Sequence, residues 1–108
     1  MLFVEGPRDR EELAEIGRRL PPPLAVNLIE GGRTPICSLE ELAEMGFFSV
    51  GFVLSGLYAA AAALELTFGE LRHSGTTDAI ANDLMHFDDF NELMGIEERY
   101  EQDERYSA

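Results

Sequence analysis

The chain has 108 residues, enough for one modest domain, with 21 acidic against 8 basic residues and a formal charge of -13. This balance excludes the basic footprint that nucleic-acid or anionic-membrane binding needs, although a local arginine and backbone N–H groups can still hold a small anion. Cys37 is the only cysteine, which rules out an internal disulfide and a Cys-rich zinc site and favours a reducing, cytoplasmic setting.

In chain order, LFVE (2–5) reads as a short strand stopped by Gly6-Pro7. DREELAEIGRRL follows, with Leu13, Ile16 and Leu20 spaced as one helical stripe, Asp9 as its cap and Glu12 reciprocating. The prolines at 21–23 stop that helix and force an extended chain. LAVNLI (24–29) is almost continuously apolar, the pattern of a strand covered on both faces, with Asn27 as a buried polar interruption. After the loop EGGRTPIC, Ser38 and Glu41 form a capping box for SLEELAEMG, and Gly46 closes that helix. FFSVGFV (47–53) is the third strand, and a helix runs from about Ser55 to His73, ended by Gly75. The stretch 49–66 has the composition of a weak membrane span, but Ser55, Gly56 and Glu65 interrupt it and a strand followed by a helix explains it better. No secretory leader is expected from the polar start MLFVEGPRDR.

The first 75 residues therefore read as three βα units with parallel strands, and 76–108 as a helical, acidic segment. That segment holds two short helices, the apolar positions Ile80, Leu84, Phe87, Phe90, Leu93 and Met94, and a frayed terminus. An isolated three-stranded parallel sheet has open edges, so the sheet is expected to be a slice of a larger barrel or to be completed by other chains.

In βα-repeat folds chemistry gathers beyond the C-terminal ends of the strands. Glu5, Asn27 with Glu30, and Ser55 all fall there. Glu5 can accept a proton, hold a metal-bound water or cap the next helix. Asn27 can be satisfied by backbone or can orient a substrate carboxylate or carbonyl. Gly31 and Gly32 permit a tight course that exposes N–H groups to an anion, Arg33 can pair with a carboxylate, and Thr34 can donate one hydrogen bond. An ordinary glycine turn with an exposed arginine is the bland alternative. The loop has neither the GxGxxG nor the GxxxxGK[ST] pattern. His73 suits a helix C-terminus, His86 beside Asp88 and Asp89 shows no trusted ligand spacing, and Cys37 reads as a quiet thiol.

Taken in order, LFVEG, AVNLIEGGRTP, SLEELAEMGF, FVLSGLYAA and the later FNELMG resemble the C-terminal portion of the isocitrate lyase and phosphoenolpyruvate mutase superfamily. The nearest subgroups are those like methylisocitrate lyase and carboxyphosphonoenolpyruvate mutase. The resemblance implies a partial (β/α)8 barrel made of units six to eight, followed by helices that pack on a partner subunit. It implies the C-terminal part of a magnesium-dependent carbon–carbon lyase or phosphonomutase acting on 2-oxo or 2-hydroxy carboxylates. By matched position it makes Glu5 the catalytic glutamate and Asn27 the carboxylate-binding amide. Glu30, Gly31, Gly32, Thr34 and Pro35 match the adjoining loop, with Arg33 beside them, and Ser55 matches the serine of a Pro-Leu-Ser segment. Val53 stands where that segment has proline, and Tyr58 where arginine is frequent.

The resemblance also implies that the acidic residues organising magnesium, and a cysteine-bearing loop, belong to an earlier part of the barrel; Cys37 is not that cysteine. The 108-residue chain alone is accordingly expected to bind no metal tightly and to be catalytically incomplete. Either a homo-oligomer or a preceding barrel segment would complete it. The competing expectations are a non-catalytic oligomeric interaction protein and a compact carboxylate-binding module built on Arg33 and the glycine loop.

Overall fold

The computed structural model describes residues 1–107. Three short strands, β1 (Leu2–Phe3), β2 (Leu24–Leu28) and β3 (Phe47–Phe52), form a parallel sheet in that order. Helices α1 (Arg10–Arg19) and α2 (Leu39–Glu44) make the two crossovers, and α3 (Ser55–Ser74) follows β3. A 3-10 turn (Asp78–Asp83), α4 (Phe87–Leu93) and α5 (Ile96–Tyr106) complete the described chain. The chain divides into two compact units, Met1–Ala63 and Leu64–Ala108; the division falls inside α3, whereas composition changes at residues 75 and 76.

The core lies in the first unit. Leu13 of α1, Leu42 of α2, and Leu24, Val26 and Leu28 of β2 are almost wholly buried, together with Phe47 and the Cys37 side chain. Sealing Cys37 in this cluster makes it a small core side chain. Ile16, Leu20, Met45 and Val50 pack around the cluster. The leucine stripe of α1 and the leucine of α2 thus meet one face of the sheet, as their spacing predicts.

Both helix starts are held by side chains. Asp9 accepts from the Glu12 backbone N–H at 2.7 Å. Glu12 does not reciprocate at the cap itself; its carboxylate accepts from the Arg8 N–H at 2.7 Å, one residue earlier. At α2 the expected capping box is complete: the Ser38 hydroxyl accepts from Glu41 N–H at 3.1 Å, and the Glu41 carboxylate accepts from Ser38 N–H at 2.7 Å. Glu41 also pairs with Arg10, and Arg10 reaches the Ile36 carbonyl at 3.4 Å, tying α1 to the loop before α2. That long-range tie has no signature in the sequence.

Two strand expectations change. β1 is only two residues long, because Gly6 at φ +61° turns the chain and Pro7 cannot donate to a ladder. β2 is not covered on both faces within this chain: Leu24, Val26 and Leu28 are buried, while Asn27 is exposed and Ala25 only half-buried. The run is apolar in composition but alternates in size and polarity, and the pleat sorts it accordingly. Pairing with β3 slips between Leu24 and Ala25, so Leu24 faces Phe47 but Ala25 faces Ser49. Phe48 is left out of the pairing and stands 81% exposed.

The segment beyond Gly75 is more helical than expected. The acidic tail forms α5, an ordered helix up to Tyr106, and Ala108 lies outside the described residues. Gly95, left-handed at φ +63°, turns the chain between α4 and α5. Of the expected apolar stripe only Ile80 is buried; Leu84, Phe87, Phe90, Leu93 and Met94 are exposed. No helix among the described residues is long and apolar enough to cross a membrane.

Candidate functional site at the strand ends

The face of the sheet that the two crossover helices leave bare carries the polar chemistry. Strand alternation puts Phe3, Ala25 and Asn27, and Ser49 and Gly51 on this side, and Glu5 follows two residues after β1. At its C-terminal end lies a small cleft of about 90 Å³, lined by Glu5, Gly6, Asn27, Ile29, Arg33 and Thr34 with Phe3 at its edge. Four predicted site residues, Glu5, Asn27, Arg33 and Thr34, are thus brought together from two strand ends and one loop.

Arg33 makes no ion pair among the described residues, and its Cδ lies 3.4 Å from where a Cβ on Gly6 would stand. Gly6 therefore does two things: it takes the left-handed turn after β1, and it leaves room for the arginine stem to lie across that turn. Asn27 is exposed, not buried as the apolar run suggested, because the covering layer is on the other side of the sheet. Its amide needs no internal partner and is available to a ligand. Thr34 is the one buried polar residue among those described, at 8% exposure, and lines the cleft.

The other predicted residues fall outside the cleft lining. Glu30 accepts a hydrogen bond from the Ser55 hydroxyl at the start of α3, joining the ends of β2 and β3. That bond, helped by the backbone N–H of Glu30 itself, holds its carboxyl below the usual carboxylate range. An ionised Glu30 can only accept, so Ser55 donates to it and the pair is spent on holding the loop. The glycines divide. Gly31 is left-handed at φ +72° with open space around it. Gly32 donates its N–H to the Ile29 carbonyl at 2.9 Å, so this N–H closes a turn and is not offered to an anion. Val53, in the position where the resembled segment has proline, donates to Leu28 O at 3.4 Å and so continues the ladder, which proline cannot do.

Only one carboxylate, Glu5, lines the cleft, and no group of three His, Cys, Asp or Glu side chains converges among the described residues. Magnesium takes one or two carboxylates in octahedral geometry, with waters and substrate oxygens filling the rest. Glu5 would supply one such carboxylate, and no second acidic group lines the cleft among the described residues.

The fold and the cleft together define an α/β protein of consecutive βα units, a partial (β/α)8 barrel with its polar residues at the C-terminal ends of parallel strands. No family model matches the chain. Carboxyvinyl-carboxyphosphonate phosphorylmutase, chloroplastic, of Arabidopsis thaliana is 40% identical over 105 residues, covering 97% of this chain and 31% of that protein. The structure of oxaloacetate acetylhydrolase in complex with the product oxalate superposes with a TM-score of 0.82 at 30% identity, covering 98% of this chain and 36% of that one. 2,3-Dimethylmalate lyase, a PEP mutase/isocitrate lyase superfamily member, superposes with a TM-score of 0.80 at 28% identity over 98% of this chain and 38% of that one. The sequence and fold of this chain are those of a C-terminal portion of the isocitrate lyase and phosphoenolpyruvate mutase superfamily. Its relatives include a phosphorylmutase and a lyase by name, and the chain spans about a third of the length of the curated relatives it matches.

Proposed function

We propose that this chain supplies the carboxylate-holding end of a carbon–carbon lyase site acting on 2-oxo or 2-hydroxy carboxylates. The observation that carries this reading is the cleft that gathers an unpaired arginine, an exposed amide and a carboxylate at the ends of two parallel strands. Arg33 presents a planar fork that matches a carboxylate, and Asn27 donates from the neighbouring strand end. Glu5, across the cleft, is the group in place to accept a proton from the bound acid or from a water beside it. Magnesium, which would stabilise enolate charge during cleavage, would be organised by residues beyond those of this cleft. The 108-residue polypeptide by itself is therefore expected to bind a small dicarboxylate and not to turn it over.

Titration calorimetry of the chain with oxalate and with pyruvate, with and without magnesium, tests this. The expected result is saturable one-to-one binding of oxalate in the millimolar range or tighter, with no cleavage of oxaloacetate. Absence of any binding heat and of any ligand-induced spectral change would remove the reading.

We also propose that the chain is completed by further protein, either a second copy or a preceding barrel segment. This is supported by α3, which is rich in apolar residues and has none buried: Leu57, Leu64 and Phe68 are each more than half exposed. A helix that is apolar on all sides is normally a covered one. Light scattering across a concentration series is expected to give a defined oligomer when the chain is prepared alone. A cooperative, monodisperse monomer at every concentration would overturn that expectation.

A further inference from the structure

Gly51 is the next-to-last residue of β3, and glycine within a strand weakens it and usually marks a bulge or a close approach. Its backbone is not left-handed, so the dihedral angles do not require glycine there. Space does. A Cβ built on Gly51 would stand 2.7 Å from Asn27 Oδ1, 3.7 Å from Asn27 Cγ and 3.1 Å from Val53 Cγ1. The Asn27 carboxamide thus lies across the bare backbone of Gly51, with the Val53 side chain at the edge of the same slot.

We propose that Gly51 is a positioning residue that sets the orientation of the Asn27 carboxamide in the cleft. Asn27 makes no side-chain hydrogen bond among the described residues, so the slot and not a polar partner holds it. Seating the carboxamide oxygen against β3 leaves the NH2 group as the end that meets a carboxylate in the cleft. The slip in pairing between Leu24 and Ala25 is part of the device: it places Gly51 opposite Asn27. Without that slip Val50 would take the position, and a branched side chain would fill the slot. What the amide binds rests on the carboxylate reading above; that Gly51 orients it does not.

The test is a double-mutant cycle on the full chain with Gly51→Ala and Asn27→Ala, read by oxalate calorimetry, thermal melting and the Asn27 side-chain NH2 signals in a nitrogen-15 spectrum. Gly51→Ala is expected to shift both Asn27 NH2 signals and to weaken oxalate binding about tenfold, the factor for one well-placed hydrogen bond. In the Asn27→Ala background the same substitution is expected to leave binding unchanged and to lose the part of its effect on melting temperature that comes from displacing the carboxamide. A Gly51→Ala chain that does not fold, while the double variant does, supports the proposal, because removing the carboxamide empties the slot. Unmoved NH2 signals in a folded Gly51→Ala chain overturn it, as does a Gly51→Ala effect that persists in full without Asn27, including failure of both variants to fold. If the unsubstituted chain does not bind oxalate, the carboxylate reading fails by itself, and the NH2 signals and the melting cycle still decide the role of Gly51.

Discussion

Gly17→Ala is expected to lower the melting temperature of this chain by at least ~12 °C. Gly17 sits inside α1, where glycine ordinarily costs stability relative to alanine. A Cβ at this position would lie 1.6 Å from the Met45 carbonyl oxygen and 2.8 Å from its carbonyl carbon. No real Cβ tolerates such a contact, and the obstacle is backbone, so no rotamer change relieves it. α1 would have to back away from the turn that launches β3, loosening Leu13 and Ile16 against β2 and Leu42. Overpacking typically costs about 1–3 kcal/mol, and a clash with main chain belongs at or beyond the upper end. For a domain of this size each kcal/mol moves the midpoint by about 4–8 °C.

Gly69→Ala in α3 is the matched control. A Cβ there meets nothing within 4 Å, so the same exchange is expected to be neutral or to stabilise by about 0.5–1 kcal/mol. Thermal denaturation of both variants followed by circular dichroism checks the pair. Equal midpoints for Gly17→Ala and the unsubstituted chain would mean that α1 is not seated on the Met45–Gly46 turn.

Arg33→Ala is expected to weaken oxalate binding by about 10–100-fold. The chain as a whole repels anions, at a formal charge of -13, so a local cation must provide what attraction there is. A charge-assisted hydrogen bond contributes about 1.5–3 kcal/mol, and each 1.4 kcal/mol is a factor of ten in affinity. The larger loss applies if both arms of the guanidinium engage the ligand, the smaller if only one does. Arg33→Lys separates charge from shape: a lysine keeps the charge but not the planar fork, so partial recovery is expected. Because Arg33 has no ion-pair partner and is exposed, its removal should leave the melting temperature within about 1 °C. Oxalate calorimetry on both variants is the measurement. Unchanged affinity in Arg33→Ala would move carboxylate binding away from this cleft.

The order of elements was legible in the sequence because it is written in local signals. The three-and-four spacing of Leu13, Ile16 and Leu20, the box of Ser38 and Glu41, and the glycines at 46 and 75 each act within a turn or two of the chain. The placement of Glu5, Asn27 and Ser55 near strand ends was readable for the same reason, since strand ends follow from where apolar runs stop. One misreading has a local cause. The run LAVNLI looked covered on both faces, because composition reports what a residue prefers and not what stands beside it; within this chain one face of β2 is bare.

What the sequence determined by itself is therefore the βα order, the capping residues and the polar residues that fall beyond the strand ends. Only the tertiary structure decided which of them act together. It drew Glu5, Asn27, Arg33 and Thr34 into one cleft and left Glu30 bonded to Ser55 outside its lining. It gave Gly17 and Gly51 their reasons for being glycine, neither of which is a turn. The physical reason is that pairing register and helix seating depend on contacts between residues distant in sequence, such as Asn27 with Gly51 and Gly17 with Met45. A one-residue slip in that pairing exchanges the side chains on a face, and no short stretch of sequence encodes it.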